Sequence, residues 1–305
     1  MRLFRPLIAV LAVATGLAGC GSGDGPAVRS PADFPVVSGR MVRVVTTTTQ
    51  LSDFARIVGG DRVDVYDVIK ANVDAHDYEP APADLEALRS ADLVVRNGVG
   101  LEEWLEPTLD SAGSKAPVVD ATDGIALRKG DPHVWHDASR ARAMVANVSR
   151  ALIRVNPGNA ATFTANEAGY GAQLDALDIE IRTAVDGLTN KKLVTNHDAF
   201  GYFVERYGLE FVGSVIPSFD SQAELSSREL SGLVARIKAE GARAVFSEAS
   251  LPPKTAETIA REAGVRVVAG DDALYGDSLG PAGSDGDTYL KMMRHNTRVI
   301  VDNLR

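Results

Sequence analysis

Cysteine is almost absent from this chain: its 305 residues contain one, Cys20. No internal disulfide can form, and no thiolate can serve a metal site in a folded domain downstream of it. Long apolar runs are missing too. The most continuous, Leu7 to Gly16, is too short to cross a bilayer as a stable helix. Positive charge is in deficit, with 32 Lys and Arg against 41 Asp and Glu; the formal net charge is −9, or −11 without Arg2 and Arg5. That balance argues against general nucleic-acid binding. Histidine is scarce as well, five in all, so the position of each carries information.

What is present begins with a legible amino terminus. Arg2 and Arg5 precede the apolar stretch, and Leu17-Ala18-Gly19-Cys20 supplies a small-residue cleavage site. This pattern predicts a secretory signal peptide over 1–19. Leu-Ala-Gly-Cys also resembles the bacterial lipobox, which implies lipid on Cys20, an extracytoplasmic location and anchorage to the cell membrane. The following stretch, rich in Gly, Ser, Pro and Ala, reads as a flexible tether over 20–40.

From Met41 onward, short β-branched runs alternate with helical periodicity, the pattern of α/β units with parallel sheets. Strands are expected near Val42 to Thr47, Val63 to Ile69, Leu93 to Arg96 and Val118 to Val119, with helices near Leu51 to Val58, Pro82 to Ser90 and Glu102 to Leu109. The rhythm returns with strands at Lys192 to Thr195, Phe211 to Val215, Ala244 to Ser247 and Val265 to Val268. Helices near Phe200 to Tyr207, Glu224 to Glu240 and Lys254 to Glu262 separate these, and a last one runs from Thr288 to Asn303. Between the halves, Ser139 to Asp186 shows only helical periodicity, broken at Asn156-Pro157-Gly158. Its second helix, Ala160 to Val185, would be about 39 Å long, stiff enough to act as a backbone. The expected architecture is two α/β lobes, 41–157 and 188–305, joined by one long rigid helix within 158–187.

Four residues stand in loops that follow strands, where α/β sheets place their ligands. They are His76, His133, His197 and Asp277. Three imidazoles and one carboxylate suit a tetrahedral zinc site, and imidazole favours zinc over manganese. Taken singly, a loop histidine reads as a surface or hydrogen-bonding residue, and gaps of 57, 64 and 80 residues form no compact metal motif. Flanking acids Asp77, Asp131 and Asp198 are placed to orient the imidazoles. His136 is read as facing solvent or standing behind a ligand. Glu248 is read as an acceptor behind a ligand, a fifth ligand, or an acid facing water. Arg96-Asn97-Gly98-Val99-Gly100 lacks a phosphate-loop pattern and reads as a turn. Trp104, Trp135 and His295 read as packing or structural residues.

Four segments carry a family resemblance. Asp74-Ala75-His76-Asp77-Tyr78-Glu79-Pro80, Asp131-Pro132-His133-Val134-Trp135 and Asn196-His197-Asp198-Ala199-Phe200-Gly201-Tyr202-Phe203 are similar to three ligand regions of the zinc and manganese substrate-binding lipoproteins of bacterial ABC importers. Asp277-Ser278-Leu279 followed by Thr288 to Asn296 resembles their carboxyl-terminal ligand and last helix. The resemblance implies metal in the cleft between the lobes, with His at the third position typical of zinc members and Glu common in manganese members. One departure stands out: Asp120 to Asp131 contains no histidine, whereas many zinc members carry a His-rich loop there.

The implied function is a monomeric, high-affinity extracytoplasmic zinc receptor that delivers its ion to an ABC permease and its ATPase, with or without a metallochaperone to load it. Manganese is the alternative cargo. A secreted zinc hydrolase is the competing class, yet four protein ligands would fill the tetrahedron and no HExxH motif supplies a base, so no enzyme is expected. An adhesin could share the same anchor and fold.

Overall fold

The computed structural model describes residues 34–223 and 226–305. The expected signal peptide, Cys20 and most of the tether lie outside the described residues, as do Glu224 and Leu225. Among the described residues no helix is long and apolar enough to cross a membrane.

Valine-rich segments form two four-stranded parallel sheets. The first contains β1 (Val42–Thr46), β2 (Val63–Asp67), β3 (Leu93–Arg96) and β4 (Val118–Asp120), in the order β2-β1-β3-β4. The second contains β5 (Lys192–His197), β6 (Glu210–Ile216), β7 (Ala244–Phe246) and β8 (Arg266–Val268), in the order β6-β5-β7-β8. The two orders are the same, so each sheet reverses its winding between its central strands. Such a switch point opens a crevice at the carboxyl ends of those strands, β1 and β3 in one sheet and β5 and β7 in the other.

Parallel sheets need cover on both faces. On the outer face of the first sheet lie α2 (Pro82–Ser90) and α3 (Leu105–Ala112), around Val94, Leu88 and Leu105. The second sheet's outer face is covered by α7 (Ser227–Glu240) and α8 (Lys254–Ala263), around Val194, Leu233 and Ile259. The inner faces share one continuous core that runs from Val44 and Phe54 through Leu152, Phe163 and Leu174 to Phe203, Phe246 and Ile300. It draws on α1 (Thr49–Gly59), α4 (Ala138–Val155), α5 (Ala160–Asp186), α6 (Gly201–Tyr207) and α9 (Tyr289–Leu304).

Helix α5 is the long one that periodicity predicts: 27 residues, about 40 Å at 1.5 Å per residue. It packs on α1 and α4 of the first half and on α6 and α9 of the second. The seam is tightened by Asp53 on α1, whose Oδ2 accepts the first N–H of α9 from Tyr289 at 2.9 Å, satisfying a donor that a helix start leaves open. Phe54 meets the Tyr289 ring edge-on at 5.0 Å.

Element ends differ from expectation for identifiable reasons. The helix expected from Glu102 starts at Leu105 because Glu102 turns inward. Its buried carboxylate accepts Thr47 Oγ1 at 2.6 Å, Asn97 N–H at 2.7 Å and Gly98 N–H at 3.1 Å. The Gly98-Val99-Gly100 turn has φ of 83°, 59° and 78°. Positive φ is a true outlier for β-branched Val99, and the two N–H groups bound to Glu102 hold the turn in place. The anion-binding concavity that such a glycine turn offers is thus filled by the chain's own carboxylate. The strand from Val63 stops at Asp67, where the ladder with β1 ends at Thr46. Helix α7 starts at Ser227, with Ser226 Oγ accepting Glu229 N–H and the Glu229 carboxylate accepting Ser226 N–H, a reciprocal cap.

Candidate metal centre

Three loops and one strand end bring the candidate donors together. His76 follows β2, and His133 sits just before a 3₁₀ turn, Val134–His136, in the connection from β4 to α4. His197 is the last residue of β5 rather than a loop residue, and Asp277 lies between β8 and α9. One nitrogen or oxygen from each lies within 4.8 Å of all the others. His133 Nε2 is 3.2 Å from His76 Nε2 and 3.3 Å from His197 Nε2. Asp277 Oδ1 is 3.3 Å from His133 Nε2 and 3.9 Å from His76 Nε2, while its Oδ2 is 3.5 Å from His197 Nε2. Zinc–nitrogen bonds of about 2.0 to 2.1 Å set a tetrahedral edge of roughly 3.3 to 3.4 Å, so these donors stand where a small dication could touch them all.

Three of the four side chains, those of His133, His197 and Asp277, are fully covered, and that of His76 is 9% exposed. Both oxygens of Asp277 are buried with no hydrogen-bond partner. An unpaired buried carboxylate is costly unless cations meet it. Here the imidazoles do: they hold Asp277 well below the usual carboxylate range against the effect of burial, led by His197. Burial alone would lower the pKa of His133 and His197, yet the carboxylates of Asp131 and Asp277 raise the first, and those of Glu248 and Asp277 raise the second well above its ordinary value. His76 is lowered, chiefly by burial. A dication on these nitrogens must displace protons, so its affinity falls in acid.

Two imidazoles are braced from behind. Asp131 Oδ1 accepts both the backbone N–H of His133, at 3.0 Å, and its ring Nδ1–H, at 2.9 Å. Glu248 Oε1 does the same for His197, at 3.0 and 2.8 Å. These contacts leave each Nε2 lone pair aimed at the centre. Asp131 therefore has the orienting role its position predicts. Of the readings open for Glu248, an acid facing water is excluded, because it is 2% exposed. Its place is the switch point of the second sheet, two residues past β7 and beside the end of β5.

Two expected orienting acids do not serve. Asp77 is exposed, because the chain turns His76 inward and its neighbour outward. Asp198 is half-buried, but its backbone N–H goes to Ser218 O at 3.1 Å and Glu248 takes the His197 ring.

His136 is also corrected. It does not face solvent: it is fully buried and stacked on Phe200 at 4.4 Å, with neither ring nitrogen partnered. Burial pushes its pKa down to about 3. Because the folded-state pKa lies below the ordinary 6.5, the unfolded chain binds the extra proton more readily. Stability is then complete above about pH 6.5 and is lost as pH falls from there toward 3. Exchanging His136→Phe keeps the stacked ring and removes that loss. At pH 5 the metal-free variant should be more stable than the metal-free parent by about 2 kcal/mol, with little difference at pH 8; equal pH profiles in denaturant melts would refute this.

Other residues shape the surroundings of the centre. Trp135 is a core residue as expected, but its Nε1–H also donates to Gly276 O at 3.0 Å, next to Asp277, and Tyr289 Oη donates to Trp135 O at 2.6 Å. Gly276 has to be glycine, since a Cβ there would stand 1.9 Å from Glu248 Oε2. Asn97 Nδ2 donates to Pro132 O at 2.9 Å, which places the His133 loop against the first sheet's switch point. Arg128 Nε holds Asp131 Oδ2 at 3.1 Å. His295 is structural, its Nε2 meeting Ala273 O at 3.0 Å.

Comparison with known proteins follows the same outline. The chain is similar to the iron ABC transporter substrate-binding lipoprotein MtsA of Streptococcus pyogenes serotype M1, 29% identical over 280 residues, covering 86% of this chain and 89% of that one. Its likeness to the manganese-binding lipoprotein MntA of Halalkalibacterium halodurans is also 29%, over 97% of this chain and 96% of the other. Among solved structures, the periplasmic zinc binding protein TroA from Treponema pallidum superposes with a TM-score of 0.80 at 30% identity, covering 87% of this chain and 99% of TroA. With the model of the zinc-uptake complex component A periplasmic family matching residues 44–303, the chain belongs to that family, the metal-binding receptors of ABC transporters.

Proposed function

We propose that the chain is a zinc receptor, holding one ion with His76, His133, His197 and Asp277 in the cleft between its lobes and presenting it to an ABC permease and ATPase. The observation that carries this is the buried cluster of three Nε2 atoms around a carboxylate with no other partner. The names of the relatives range over iron, manganese and zinc, so the choice of metal rests on the donors. Three imidazoles and one carboxylate favour zinc, while manganese prefers more oxygen. Capture and handover need no chemical step, and the two acids behind the centre, Asp131 and Glu248, each accept the ring N–H of a candidate ligand, His133 and His197. Lipid on Cys20, with 20–40 as tether, and lobes at 41–157 and 188–305 complete the reading.

The test is the metal content of the mature chain, purified without a metal-binding tag, followed by competition between zinc and manganese. One zinc per chain, retained against excess manganese, is the expected result. A chain that keeps manganese in preference would make it a manganese receptor, and one that keeps neither would end the proposal.

A further inference from the structure

Two of the three imidazoles are locked by buried carboxylates, and His76 is not. Among the described residues no carboxylate reaches its second ring nitrogen, and its ring alone touches solvent. What fixes it is its backbone, whose N–H donates to Asp74 Oδ1 at 2.9 Å. The other oxygen of Asp74 reaches across the cleft. There it accepts Ser221 Oγ–H at 2.5 Å and Gln222 Nε2–H at 3.4 Å, from the loop after β6.

That loop is itself seated on the centre. Ser218 O accepts Asp198 N–H, one residue past His197, and the Phe219 ring lies 6.5 Å from the ring of His133. Ser221 is buried, 6% exposed, so its hydroxyl has little water to replace Asp74. A hydroxyl donated to a carboxylate is among the stronger hydrogen bonds, and this one spans the two lobes beside the one imidazole of the set that lacks a brace.

We propose that Asp74, Ser221 and Gln222 form a clasp across the cleft that positions His76 and so sets how fast the ion leaves. The inference rests on the metal-receptor reading. With the clasp shut, His76 closes the exposed side of the site. With it open, the His76 loop swings outward and the ion is left on His133, His197 and Asp277 with one face uncovered. Ser221 is a positioning residue, acting through Asp74 and never touching the ion.

The experiment loads the mature chain with one zinc and follows its transfer to a chromophoric chelator by stopped flow. Ser221→Ala should still carry one zinc per chain but release it about tenfold faster. Ser221→Thr, which restores a hydroxyl, should return release to the parent rate. Gln222→Ala, which removes the longer contact, should speed release less than Ser221→Ala does. If Ser221→Ala carries one zinc and releases it at the parent rate, the clasp is overturned. If the parent chain itself holds no zinc, the receptor reading fails, which is a separate result.

Discussion

Changing Asp277→Asn should weaken binding of the divalent ion by about a thousandfold, on the order of 4 kcal/mol, the scale for removing one partner from a buried charged pair. The residue is the hub of the centre. Its two oxygens lie 3.3 to 3.9 Å from all three imidazole nitrogens and have no other partner. Asparagine preserves the shape and the backbone bond from Gln50 Nε2 to Asp277 O, so the fold should persist by circular dichroism. What is lost is the negative charge that partly neutralises the dication in a water-poor site. Competition with a calibrated chelator reads the effect, and affinity within tenfold of the parent would show that the ion does not sit on this carboxylate.

Metal preference should turn on a pair rather than a single residue. Glutamate in place of His197 would supply the extra oxygen that manganese favours. Alone, however, His197→Glu sets a second carboxylate against Glu248 Oε1, which now accepts the His197 ring at 2.8 Å. Two acids at that distance repel, and one of them protonates. The single variant should therefore bind every metal more weakly. Adding Glu248→Gln turns the repelling acceptor into a donor, and the double variant should shift the zinc-to-manganese affinity ratio toward manganese by roughly 10- to 100-fold, the scale on which groups behind a ligand act. Paired titrations of parent, single and double variants decide it. An unchanged ratio in the double variant would place selectivity elsewhere.

Much of this was legible in the sequence, and the reason is local. Parallel strands buried on both faces read as short valine-rich runs, and the unbroken helical periodicity after Asn156-Pro157-Gly158 marked α5 almost to the residue. The four candidate donors could be named because histidine is rare here, each sits at or beyond a strand's carboxyl end, and the segments around them resemble the ligand regions of a known family. What braces them was harder to see. Asp131 is two residues from His133 and could be read directly, whereas Glu248 is 51 residues from His197, a pairing that exists only because β5 and β7 are neighbours in the sheet. Asp77 and Asp198 misled for the converse reason: adjacency in sequence says nothing about which way a loop side chain turns. His136 misled because a polar ring in a loop gives no warning that Phe200, on the far side of the chain's long middle, will cover it.

The inner faces of the two sheets share one core, with α5 and the Asp53–Tyr289 bond running through it. A receptor built this way has little freedom to signal its cargo by changing its outline. Any membrane partner must tell a laden molecule from a bare one at the rim, by whether a few residues are ordered or loose. Recognition of the carrier and recognition of its load then become the same event, read on a patch only a few side chains wide.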